Sequence, residues 1–129
     1  MKKLTLLLLL ICSTNVLAEW TRVTGSSDGD MTVYVDFGTI KRKENKVKMW
    51  YLYDLKTIKK TENIRYLSTI SHDEYDCEEE TSRMLDYYWY SGNMKNGDMV
   101  YSSTNLKNEP IAIIPNTINE ILFKIACSK

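Results

Sequence analysis

The chain has 129 residues, 17 basic and 17 acidic, so its formal net charge is zero. This length holds one domain, and 43% apolar with 26% charged side chains excludes a disordered or collagen-like chain. Without a surplus of Lys and Arg to neutralise phosphates, nucleic acid is not an expected partner.

Lys2 and Lys3 precede an apolar block from Leu4 to Ile11, and Val16-Leu17-Ala18 follows. A positive start, a short apolar stretch and small residues at −3 and −1 form the pattern of a secretory signal peptide cut after Ala18. Residues 1–18 are therefore expected to be a leader and residues 19–129 the mature domain. The apolar block falls well short of the ~20 residues that span a bilayer. Cys12 would carry a lipid in a lipoprotein, but that route favours small residues before the cysteine, and Ile11 is bulky and β-branched. Export without an anchor is the expectation, to the periplasm, the outer-membrane surface or the medium. Losing the leader leaves 15 basic and 17 acidic groups.

It also leaves two cysteines, Cys77 and Cys127. In an oxidising compartment an even count reads as a disulfide, and a single intramolecular pairing exists. Closing a loop of about 50 residues contributes roughly 4 kcal/mol in the chain-entropy view. The competing reading makes Cys77 a reactive thiol with His72 as its base. Such a nucleophile needs a third group orienting the base, and a bridged sulfur attacks nothing.

Most of the mature chain reads as strand. Trp20 to Thr24 is a short β-like run closed by the turn cluster Gly25-Ser26-Ser27-Asp28-Gly29. Met31, Val33 and Val35 alternate with Thr32, Tyr34 and Asp36, the period of a half-buried strand. The polar segment from Lys41 to Lys46 leads into Val47–Asp54, with both faces partly apolar, and Lys56 to Asn63 reads as an exposed connection. Tyr66 to Cys77 and Thr81 to Ser91 are two further strands, split by Glu78-Glu79-Glu80. Asn96-Gly97 signals a type I′ hairpin turn before a strand at Met99–Ser103. Short strands separated by turns argue for an antiparallel sheet.

The last segment changes period. Thr117 and Glu120 stand in capping-box spacing, and Ile118, Ile121, Leu122, Ile125 and Ala126 make one apolar stripe on a 3.6-residue repeat. A C-terminal helix buried on the sheet is predicted. Cys127 falls about 180° from Ile118 on the helical wheel, so a bridge needs the last turn to fray or must approach from the flank.

Three clusters invite functional readings. The acidic residues Asp73, Glu74, Asp76 and Glu78–Glu80 lack the glycine of a calcium loop, and a solvated hairpin end is the simpler reading; no metal or cofactor is expected. No carboxylate pair is marked for glycoside hydrolysis. Lys41-Arg42-Lys43, with Lys46 and Lys48, forms a basic patch suited to anionic glycans or lipid headgroups, if it is more than a solvated hairpin. Nine tyrosines and three tryptophans are the most suggestive feature, because Tyr and Trp are enriched at binding surfaces. Tyr87, Tyr88, Trp89 and Tyr90 must point to both faces of a strand, and one helix covers only one face.

Trp20, Tyr34-Val35-Asp36 with Ile40, Val47-Lys48-Met49-Trp50, Glu74-Tyr75-Asp76-Cys77, Ser91-Gly92-Asn93-Met94, Val100-Tyr101-Ser102 and Lys124-Ile125-Ala126-Cys127 occur in that order. Together they resemble the bacterial surface-adhesin protein E family, known from Haemophilus-type adhesins. The resemblance implies an α+β fold: a six-stranded antiparallel sheet with one C-terminal helix packed on its concave face and tethered by a Cys77–Cys127 bond. It implies attachment to host matrix proteins such as vitronectin or laminin. Two features depart from the family: the namesake is a lipoprotein, and the Trp that many relatives carry near Asn108-Glu109-Pro110 is absent.

The expectation is an exported, non-enzymatic binding domain. Its candidate binding surface comprises Tyr87, Tyr88, Trp89, Tyr90, Lys41, Arg42 and Lys43, on exposed strand surface or edges. Its partner is a host matrix or cell-envelope protein, and a homodimer is compatible with the sequence. The rival is a periplasmic small-ligand binder or enzyme with a pocket between helix and sheet. A deep polar pocket with perturbed titratable groups would favour that rival.

Overall fold

Alternating apolar and polar side chains place the strands. In a computed structural model that describes residues 18–128, strand β1 runs Thr21–Gly25, β2 Met31–Val35, β3 Lys41–Lys43, β4 Lys46–Thr61, β5 Ile64–Asp76, β6 Thr81–Tyr90, β7 Met99–Ser103 and β8 Ile111–Ala112. Helix α1 spans Ile118–Cys127. Residues 1–17 of the expected leader, Cys12 among them, lie outside the described residues.

All strand pairs are antiparallel, in the order β1-β2-β4-β5-β6-β7, with β3 beside β4 and β8 beside β6. The expected six strands are thus the main path, and two short additions make eight among the described residues. The polar segment Lys41–Lys46 supplies one addition, because β3 pairs back on the start of β4.

Residues paired across an antiparallel ladder share a face. Val47, Met49 and Tyr51 of β4 therefore lie with Tyr75, Asp73 and Ser71 of β5, and with Val35 opposite Tyr51. Helix α1 lies on this face. Leu122 and Ala126 close a core with Val33, Val35, Val47, Met49, Tyr51 and Tyr75, each 4% exposed or less. Thr117 Oγ1 accepts the Glu120 N–H at 3.2 Å, and Glu120 Oε1 accepts from Asn116 N–H at 3.3 Å. The cap thus satisfies two free donors at the helix start.

Cys77 and Cys127 are joined, with Cα atoms 5.7 Å apart. The helix does not fray to allow this. It stays regular through Cys127, and the sulfur approaches from the flank of the core.

Three expectations need correction. Lys56 to Asn63 is not a loop: β4 and β5 continue past the sheet as a hairpin arm turned at Glu62, whose φ is 55°. Neither face of the arm is covered, so no apolar alternation marked it. Asn96-Gly97 is not a type I′ turn, since Asn96 is extended (φ −89°) and the left-handed residues are Met94, Lys95 and Gly97. Tertiary bonds decide this loop: Asp54 Oδ1 accepts from Met94 N–H at 2.7 Å, and Ser68 Oγ from Lys95 N–H at 2.9 Å. Finally, Ile121 is 37% exposed, so the buried stripe narrows to Leu122 and Ala126, with Ile118, Phe123 and Ile125 beside them.

Candidate binding faces

The second face of the sheet is built by the alternate residues. Lys48, Trp50 and Leu52 of β4 pair with Glu74, His72 and Ile70 of β5, and His72 and Ile70 pair with Asp86 and Tyr88 of β6. Tyr34 joins from β2 opposite Leu52, and Tyr90 lies opposite Ser68. The helix packs on the other side, so this face has aromatic side chains and polar groups where a covered face would have aliphatic ones.

At its centre the Trp50 indole stacks on the His72 ring with centroids 4.5 Å apart and planes 4° from parallel. Tyr88 leans on Trp50 at 6.1 Å. Asp86 Oδ2 sits 3.1 Å from His72 Nδ1 and fixes the imidazole in this stack. Burial acts to raise the Asp86 carboxyl. The Asn105 N–H, His72 and Lys48 outweigh it and hold the carboxyl below its ordinary value. Leu52 is fully buried and Ile70 is 8% exposed, so a small apolar cluster anchors this face too. One end is closed by the loop that Asp54 and Ser68 hold in place.

The opposite end is basic. Lys41 lies directly across from Lys48, and Lys43 from Lys46. Arg42 alternates to the helix side, where its Nη2 donates to the Cys127 carbonyl at 3.3 Å and lies 4.0 Å from Cys77 Sγ. A cation on the last carbonyls complements the negative end of the helix.

The candidate surface therefore divides. Lys41, Lys43, Tyr88 and Tyr90 share the helix-free face. Arg42 closes the helix end. Tyr87 and Trp89 lie on the helix side, beyond the reach of the helix, in an aromatic group with Tyr66 and Tyr101; Trp89 is 4.4 Å from Tyr66 and 4.9 Å from Tyr101 between centroids. Sequence reasoning missed the Trp50–His72 stack, which requires the β4–β5 register. The alternation of Lys48, Trp50 and Leu52 was the available signal.

Beneath the helix lies a buried polar cluster. Asp73 is 5% exposed, and Tyr51 Oη donates to its Oδ1 at 3.3 Å. Burial pushes the Asp73 carboxyl up to about 7, partly offset by that hydrogen bond. Burial, with Asp73 nearby, raises Tyr53 to about 12 and lifts Tyr51 and Tyr75 as well. The Tyr75 hydroxyl has no hydrogen-bond partner among the described residues. These are the perturbed groups the rival reading asks for, yet Asp73 and Tyr75 are sealed from solvent.

A family model described as surface-adhesin protein E matches residues 20–128. Solved structures of Haemophilus influenzae protein E are similar in fold. Crystal form II superposes with a TM-score of 0.62 at 14% identity, covering 89% of this chain and 91% of that one. A second structure of the same protein gives 0.60 at 15% identity, over 89% and 88%. Protein E from non-typeable Haemophilus influenzae gives 0.51 at 12% identity, over 84% of each chain. No curated protein matches this chain in sequence.

Proposed function

The chain belongs to the surface-adhesin protein E family, and from that premise we propose that it is an exported, non-enzymatic attachment protein whose helix-free sheet face binds a host matrix protein such as vitronectin or laminin. Membership of a surface-adhesin family implies an exported or surface location. The proposal adds a leader cleaved after Ala18.

One observation carries the choice of face. Trp50, His72 and Tyr88 form an ordered aromatic platform on the side away from the helix, with lysines at one end. Rigid aromatics supply large contact area at small entropic cost, and flanking cations set orientation and on-rate. Among the described residues no helix is long and apolar enough to cross a membrane.

The test is a titration of the purified protein on immobilised vitronectin and laminin. Saturable binding to either, weakened at least about tenfold by Tyr88→Ala as an aromatic anchor would be, is the expected outcome. A flat titration on both, or full binding by a folded Tyr88→Ala variant, contradicts it.

A further inference from the structure

The β3–β4 hairpin contains an arrangement that packing alone does not explain. Lys41 and Lys48 are direct cross-strand partners, as are Lys43 and Lys46, and all four are exposed on one face. Like charges placed directly opposite destabilise a sheet, and here two such pairs stand in succession. Their Cβ atoms form a rectangle of about 5 Å across the strands and about 7 Å along them.

The neighbouring carboxylates offset this rectangle only in part, although Glu74 and Asp76 of β5 lie across from Lys48 and Lys46. Glu74 is taken by Arg83 Nε at 3.0 Å and reaches only Lys46, at 3.9 Å. Asp76 Oδ1 accepts the backbone N–H groups of Glu78 and Glu79 at 3.1 and 3.0 Å. Lys41, Lys43 and Lys48 have no carboxylate within ion-pair distance among the described residues. The lysines line a cleft of about 620 Å³ that also includes Glu44, Glu74 and Asp76.

We propose that this cleft binds a linear sulfated polysaccharide, its sulfates seated between the two lysine rows. A chain fits better than a bilayer. Asn45 at the hairpin tip is hydrogen-bonded to Glu78 at the head of the exposed run Glu78–Glu80. A flat anionic surface pressed on the patch meets the exposed run Glu78–Glu80 as well, whereas a narrow strand of sugar lying in the cleft meets Lys41, Lys43, Lys46 and Lys48 with Glu44, Glu74 and Asp76 as the acidic groups beside it. The inference uses one end of the face assigned to attachment, but it requires no matrix protein. Its test is therefore run without one, and the two readings fail separately.

Heparin is the probe, titrated into the purified protein at increasing salt. Binding is expected to saturate and to weaken roughly tenfold or more between about 50 and 200 mM salt, as counterion release demands. The double variant Lys41→Glu/Lys43→Glu turns both like-charge pairs into opposite-charge pairs. It should lose at least about tenfold in heparin affinity while melting at the same temperature or higher. Lys59→Glu/Lys60→Glu on the hairpin arm changes net charge equally and should retain binding. Absence of heparin binding overturns the inference, as does equal loss in both double variants. Equal or tighter binding of anionic phospholipid vesicles or of single-stranded DNA overturns the choice of ligand.

Discussion

Asp73 is the residue at which the structure pays most visibly for its architecture. Its carboxyl lies under the helix with one hydrogen bond, from Tyr51, and burial pushes it up to about 7 from an ordinary 3.8. Below pH 3.8 the group is protonated in both folded and unfolded chains. Between 3.8 and about 7 the folded state holds the proton that the unfolded state has released. Stability therefore falls as pH rises through this window, by on the order of 4 kcal/mol in full, and levels off above it. Asp73→Asn keeps the shape and removes the ionisation. Its melting temperature should exceed the parent's at pH 8 and approach it at pH 4, as followed by thermal denaturation. A variant less stable than the parent at pH 8 contradicts this assignment. Arg42, read from sequence as part of a basic binding patch, also donates to the C-terminal carbonyl of the helix.

Among the elements, the helix was the most legible. Its cap, period and length follow from Thr117, Glu120 and the apolar repeat. The identity of its buried edge did not, because an amphipathic wheel has no knowledge of where the sheet ends. Leu122 is 1% exposed and Ile121 37% exposed. Leu122→Ala should therefore cost roughly 2–4 kcal/mol, while Ile121→Ala should cost under about 1 kcal/mol. Denaturant titration checks the pair, and equal losses contradict the packing described. The strands were legible wherever one face is buried and the other is not. The arm from Lys56 to Asn63 was missed because it is solvated on both faces and, Ile58 apart, polar, which in sequence reads as a loop. The turn at Asn96-Gly97 was misread because Asp54 and Ser68, distant in sequence, select the conformation of the loop. Of the candidate surface, aromatic content and charge were readable. Which residues share a face was not, because bulges between His72 and Asp73 and between Asp54 and Lys59 shift the register.

For the whole molecule, the two sides of one sheet differ in chemistry, and the proposed function gives them separate tasks. The side under α1 supplies stability, with the Cys77–Cys127 bond tying the helix end to the end of β5 across 50 residues of sequence. That crosslink accounts for roughly 4 kcal/mol, a large share of the ~5–15 kcal/mol typical of a domain. It secures the helix without drawing on side chains of the opposite side. That side is therefore free to display Trp50, His72 and Tyr88 beside the lysine rectangle. Amide hydrogen exchange on the protein with and without saturating vitronectin or laminin tests this division most directly. Protection gained across residues 46–52, 70–72 and 86–90, with α1 unchanged, is the predicted pattern. Protection confined to α1 or to the arm at residues 56–65 would contradict it.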